Sequence, residues 1–156
     1  MIVADINPET IEKAKKEFNV EVVSVDTILE QECDILAPCA LGAILNENSI
    51  PKIKTQIICG SANNQLAKDS DMKLIEQKGI LYCPDYIVNC GGAIVVGSEY
   101  TNDPIEVATK KLEQTYDRLT TVFEIAKDKQ ISTAEAAFEL AKSFIRTGLK
   151  IKKIDV

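Results

Sequence analysis

Short apolar runs alternate with segments in which apolar residues recur every three or four positions, and this alternation organises the first two thirds of the chain. Residues 1–4 form an apolar run ended by Asp5 and predict a strand. Asn7 and Pro8 then read as the N-cap and first position of a helix whose inner stripe is Ile11, Ala14 and Phe18. Residues 21–25 predict a second strand, and residues 27–29 a short helical turn. Three further apolar runs, 34–37, 56–59 and 80–82, predict buried strands, with a helix over 71–78 stopped by Gly79. Runs that are apolar throughout, instead of alternating with polar residues, imply a parallel sheet covered on both faces.

The last third changes period. A helix with a glycine-rich start is predicted over 91–100. Asp103, Pro104 and Glu106 stand at the offsets of an N-cap, a first-turn proline and a capping acid. Ile105, Ala108, Leu112, Tyr116, Leu119, Phe123 and Ala126 then recur at helical spacing along one long segment. Ser132 and Glu135 make a second capping box, and Ala137, Leu140, Ala141, Phe144 and Ile145 carry a last helix to about Thr147. The chain reads as one α/β unit over 1–156, with a helical tail from about residue 103 packed back on the sheet. The alternative is that the 105–126 stripe buries against another subunit and mediates assembly.

Composition narrows the function classes. With 156 residues, 46% of them hydrophobic, the chain can bury one domain-sized core. A net charge of −6 argues against a nucleic-acid groove, which needs clustered Lys and Arg. No apolar run reaches the roughly 18 residues of a membrane span, and the N-terminus has no basic leader, so neither a membrane partner nor a signal peptide is expected. There is no histidine, which removes Ser-His-Asp and Cys-His chemistry and every His-ligated metal site. The five cysteines (33, 39, 59, 83 and 90) lack CxxC spacing and read as reduced thiols of a cytoplasmic protein, mostly small buried hydrophobes, with no metal role.

Three polar clusters carry the candidate chemistry, each just after a predicted strand: Ala37-Pro38-Cys39-Ala40-Leu41-Gly42-Ala43, Gly60-Ser61-Ala62-Asn63-Asn64-Gln65 and Asn89-Cys90-Gly91-Gly92. Small residues let a flat ligand approach the backbone, and carboxamides both donate and accept hydrogen bonds. Each cluster also admits a purely structural role: a tight turn at 37–43, an Asx-turn at 63–64, a helix start at Asn89.

Together the strings APCALGA, GSANNQL and PDYIVNCGGAI resemble the NAD-binding domain of the Glu/Leu/Phe/Val dehydrogenase family. The resemblance runs from Ile2 to about Lys142 and is nearer to leucine, valine and phenylalanine dehydrogenases than to glutamate dehydrogenases. It implies a Rossmann-type doubly wound parallel sheet and an oxidoreductase that converts a branched-chain or aromatic L-amino acid to its 2-oxo acid and ammonia. It implies cofactor contacts at Asp5, Ala37, Cys39, Ala40, Asn63 and Asn89. Substrate contacts fall on Asn63, Asn64, Ala93 and Val96, the last two lining the side-chain pocket unless they serve only helix packing. A carboxylate at Asp5 would hold the adenosine ribose hydroxyls and repel a 2′-phosphate, which favours NAD over NADP.

The resemblance also marks what is expected to be missing. The glycines (42, 60, 79, 91, 92, 97 and 148) contain no GxGxxG turn for a diphosphate. Met1 falls where the family's second strand begins, so the first βα unit is expected to be absent, together with the N-terminal domain that holds the catalytic lysine and aspartate. No catalytic residue is assigned here; Lys13, Lys15, Lys16, Lys52 and Lys54 read as solvated surface charges. Without its central strand the sheet would expose ladder groups. The chain is therefore expected to be the C-terminal portion of such an enzyme, inactive alone, with a separate polypeptide supplying the rest. The competing reading is a non-catalytic remnant that binds a dinucleotide or a protein.

Overall fold

A computed structural model describes residues 1–151; the end of the 1–156 unit read from the sequence lies outside the described residues. Two parallel sheets result. In the first, β1 (Ile2–Val3) pairs with β2 (Glu21–Val22), and Ile2 stands opposite Glu21. They are joined by α1 (Pro8–Phe18), which starts as its sequence dictates: the Asn7 side chain accepts from the Glu9 amide at 2.9 Å and Pro8 occupies the first turn. Asn19, in left-handed conformation, ends it.

The second sheet has the order β3 (Ile35–Leu36), β4 (Ile57–Ile58), β5 (Leu81–Tyr82). Its register sets one row of Leu36, Ile58 and Tyr82 against the core, at 8%, 0% and 3% exposure. Leu45, Ile50, Ile53 and Ile80 complete that core with Met72 and Ile75 from α2 (Met72–Gln77). Gly79, at φ +68°, stops α2 where the sequence places the stop.

The opposite row corrects an expectation. Ile35, Ile57 and Leu81 share the other face, and Ile35 is 55% and Leu81 39% exposed. Among the described residues the sheet is covered on one face only, so apolar composition alone did not signal burial on both. The first sheet is barer still: no residue of β1, α1 or β2 is fully buried, and Phe18, read as part of the inner stripe, is 64% exposed.

The two sheets also present complementary open edges. The carbonyls of Asp34 and Leu36 accept from the amides of Ile57 and Cys59, so Ile35 between them turns its peptide groups away from β4. Likewise Met1 and Val3 accept from Glu21 and Val23, which turns those of Ile2 away from β2. No strand among the described residues pairs with β1 or β3 on these sides.

After β5 come α3 (Asp85–Val88), which the sequence reading did not include, and α4 (Gly91–Tyr100), as the glycine-rich start predicts. The long segment predicted from 103 breaks at Gln114 into α5 (Ile105–Glu113) and α6 (Thr115–Lys129). Its stripe is buried only in part: Ile105 is 65% and Tyr116 77% exposed, whereas Ala108 and Ala126 are buried. Asp103 does not cap α5; its carboxylate pairs with Lys111 Nζ at 2.9 Å instead, and that ammonium lowers its pKa. The Ser132–Glu135 box does form, the Glu135 amide donating to Ser132 Oγ and the Ser132 amide to Glu135, both at 3.1 Å. It opens α7 (Thr133–Ile151), which packs on α6 around Ala136 and Ala137. Thr133 Oγ1 donates to the Tyr82 carbonyl at 2.7 Å, tying this tail back to β5. No helix among the described residues is long and apolar enough to cross a membrane.

Candidate functional site

β3 and β4 lead straight into the first two polar clusters, and β5 reaches the third through α3, so their grouping follows from strand order. Contacts at single-atom precision knit the first two. Gly60 lies so close to Pro38 that a β-carbon there would sit 2.1 Å from the Pro38 carbonyl oxygen and 2.4 Å from its nitrogen. At Gly42 it would sit 2.7 Å from the Asn63 carbonyl oxygen. These two glycines are required for close approach, not only for chain reversal. The Ala62 amide donates to the Pro38 carbonyl at 2.9 Å, and the Ala43 amide to the Asn64 carbonyl at 2.7 Å.

Gln65 organises the second cluster from beneath. Fully buried, it donates from Nε2 to the carbonyls of Gly60 (2.7 Å) and Ala62 (3.0 Å). Its backbone N–H donates to Asp85 Oδ2 at 3.2 Å, which links the loop to the start of α3. The sequence reading missed Gln65 and Asp85 as organisers. A glutamine after two asparagines looks like loop polarity, and only its burial reveals the role.

On this scaffold Asn63 and Asn89 meet. Asn89, which caps the C-terminus of α3, donates from Nδ2 to Asn63 Oδ1 and reaches the Ser61 carbonyl at 3.4 Å. The Asn63 amide hydrogens and the Asn89 carbonyl oxygen remain uncommitted among the described residues. Ala37, Cys39 and Ala40 are exposed on the neighbouring loop. The result is an open rim of small side chains, outward carboxamides and close backbone at the carboxyl ends of parallel strands. Such a rim suits a flat ligand carrying an amide and hydroxyl groups.

The other residues read from the sequence are placed differently. Asn64, at φ +52°, serves through its carbonyl, and its side chain makes no bond among the described residues. Asp5 ends β1 on the other sheet, and its Oδ1 accepts from the Asn7 amide at 2.8 Å, leaving one carboxylate oxygen outward. Ala93 and Val96 are exposed one turn apart on α4.

The thiols are all free, but only Cys83 is buried, against the expectation that most would be. Burial first, and then the neighbouring Cys59, push the Cys83 thiol up to about 12. Thiolate is the reactive form, so Cys83 stays inert at neutral pH. Iodoacetamide at pH 8 is expected to alkylate exposed Cys39 while leaving Cys83 unmodified, a difference that peptide mass spectrometry reads directly.

The family model for Glutamate/Leucine/Phenylalanine/Valine dehydrogenase matches residues 3–150. A leucine dehydrogenase from Thermoactinomyces intermedius is 47% identical over 145 residues, covering 93% of this chain and 40% of the relative. An L-tryptophan dehydrogenase from Nostoc punctiforme is 40% identical, covering 97% of this chain and 43% of its own length. The crystal structure of the Nostoc enzyme superposes with a TM-score of 0.90 at 41% identity, over 96% of this chain and 46% of that one. The chain thus spans about two fifths of the length of these two relatives.

Proposed function

The chain belongs to the Glutamate/Leucine/Phenylalanine/Valine dehydrogenase family, and from that premise we propose that it is the dinucleotide-binding portion of an NAD-dependent L-amino-acid dehydrogenase. The observation that carries this reading is the meeting of Asn63 and Asn89 beside the 37–43 loop, at the carboxyl ends of three parallel strands. Ligands of open parallel sheets bind at that edge.

The residues present fit the nicotinamide end of the cofactor. Ala37, Cys39 and Ala40 leave room for its ribose, and the free Asn63 side-chain N–H groups and Asn89 side-chain oxygen suit its carboxamide and ribose hydroxyls. When bound, NAD supplies the hydride acceptor for the substrate α-carbon. This chain's own task is orientation: Asn63 reaches both ligands, and Asn64, Ala93 and Val96 face the substrate. Ala93 and Val96 are small and apolar, which suits an aliphatic or aromatic side chain better than a carboxylate. At Asp5 the free carboxylate oxygen faces the adenosine ribose and selects NAD over NADP by repelling a 2′-phosphate.

The diphosphate has no glycine turn here, and the open edges at Ile2 and Ile35 together with the bare row Ile35–Ile57–Leu81 support a reason. In the doubly wound order a central strand lies between the second and fourth. We assign β1 and β3 as the flanks of that place, to be filled by a βα unit from the rest of the enzyme, which also brings the catalytic lysine and aspartate. A separate polypeptide supplies that remainder in this reading, and the five free thiols fit a cytoplasmic setting.

The test mixes this chain with the part of the Thermoactinomyces leucine dehydrogenase outside the matched 145 residues. NADH formation from L-leucine, L-valine or L-phenylalanine is expected in the mixture and not from either piece alone. A complex that forms but never reduces NAD would favour the non-catalytic remnant instead.

A further inference from the structure

Asn63 and Asn89 stand on different elements, yet their side chains must keep one separation to serve a ligand together. Asn63 lies in the loop after β4 and Asn89 at the end of α3. That helix is a single turn, Asp85–Val88, too short to hold a conformation of its own. Its place against the loop is therefore set by the bonds at its two ends.

At the last residue these bonds come from Asn89, whose Nδ2 donates to Asn63 Oδ1 and to the Ser61 carbonyl. At the first residue they come from Asp85. Its Oδ2 accepts from the backbone N–H of Gln65, just beyond the two asparagines, at 3.2 Å, and its Oδ1 from the Tyr86 N–H at 2.8 Å. The Asp85 carbonyl accepts from the Asn89 N–H at 2.8 Å. The path is closed: Asn63 to Asn89, Asn89 to Asp85, Asp85 to Gln65, and back along the loop to Asn63. A carboxylate suits this place because it only accepts, and both of its partners are donors. A carboxamide would turn an NH2 toward one of them.

We propose that Asp85 is a positioning residue of the nicotinamide site. Its carboxylate fixes the loop that carries Asn63 against the helix that carries Asn89, so that both carboxamides meet the ligand in one geometry. The kinetic consequence rests on the dehydrogenase reading; the geometry does not.

Heteronuclear NMR on the lone chain tests the geometry. The Asn89 side-chain amide is the reporter, and Asn63→Ala marks where its signal lies once the acceptor is gone. Asp85→Asn is expected to carry the signal at least halfway to that position. Asp85→Ser keeps a polar group at the helix start but is too short to reach Gln65, and is expected to do the same, so either folded variant decides. An Asn89 signal that keeps its parental place in a folded variant overturns the proposal. In the assembled enzyme, Asp85→Asn is expected to lower kcat/KM for L-leucine about tenfold, within the cost of a misplacement of about 1 Å at a reacting centre. Added to Asn63→Ala it should cost about threefold or less, because the group it places is already gone. Losses that multiply in full would make Asp85 a structural support only and overturn the assignment. If the assembly with the unmodified chain forms no NADH, the dehydrogenase reading fails, and the NMR result still decides the role of Asp85.

Discussion

Replacing Gly60 with alanine is expected to destabilise the protein by about 3 kcal/mol or more, at the upper end of overpacking costs. The new β-carbon would meet three atoms of Pro38 at 2.1–2.6 Å, two of them backbone. Neither side can move freely. Pro38 accepts the Ala62 amide, and the Gly60 carbonyl accepts from buried Gln65. Pushing the loops apart therefore breaks the hydrogen bonds that order both clusters. Against a typical total stability of about 5–15 kcal/mol, such a loss lowers the urea midpoint sharply. Gly97→Ala is the control: nothing lies within 4 Å of its β-carbon position inside α4, and relief of glycine's helix penalty should raise stability by about 0.5–1 kcal/mol. A Gly60→Ala protein as stable as the parent would show that the loops are not held as described.

In the assembled enzyme, Asn63→Ala is expected to lower kcat/KM for the amino acid by about a hundredfold, the scale of losing one preorganised donor at a reacting centre. The fold should survive the change. Asn63 is exposed, and its side-chain bond is to Asn89 alone among the described residues, so the stability cost stays near 1 kcal/mol. Asn64→Gly separates the two asparagines. Glycine accepts the +52° φ of that position without strain, and the Ala43 bond uses only the Asn64 carbonyl. The substitution removes the side chain proposed to face the substrate and keeps the carbonyl, so a several-fold loss of kcat/KM is expected, smaller than that of Asn63→Ala, and an unchanged kcat/KM would confine Asn64 to its backbone role. Steady-state kinetics on the three proteins, with urea melts beside them, decide both points.

Much of this arrangement is legible in the amino-acid order. Apolar runs followed by small and amide residues locate the ends of β3 and β4, and the Asn7, Gly79 and Ser132 signals each mark a real helix boundary. Such punctuation is local chemistry, so the sequence carries it. What depends on neighbours across space was less visible. Ile35 and Phe18 read as core because they are apolar, yet nothing among the described residues covers them. Asp103 has the right offset for a cap, but Lys111 eight residues on takes its carboxylate. Gln65 looks like one more polar loop residue until its burial between the Gly60 loop and Asp85 is seen.

The central claim is that the two sheets flank the place of one shared strand in a dinucleotide-binding sheet. Amide hydrogen exchange on the chain mixed with the remainder of a leucine dehydrogenase tests it most directly. Ile2 and Ile35 are expected to become protected together, since each turns its N–H to an open edge that the incoming strand would pair. A complex that leaves both amides exchanging freely, or protects one without the other, would contradict the account.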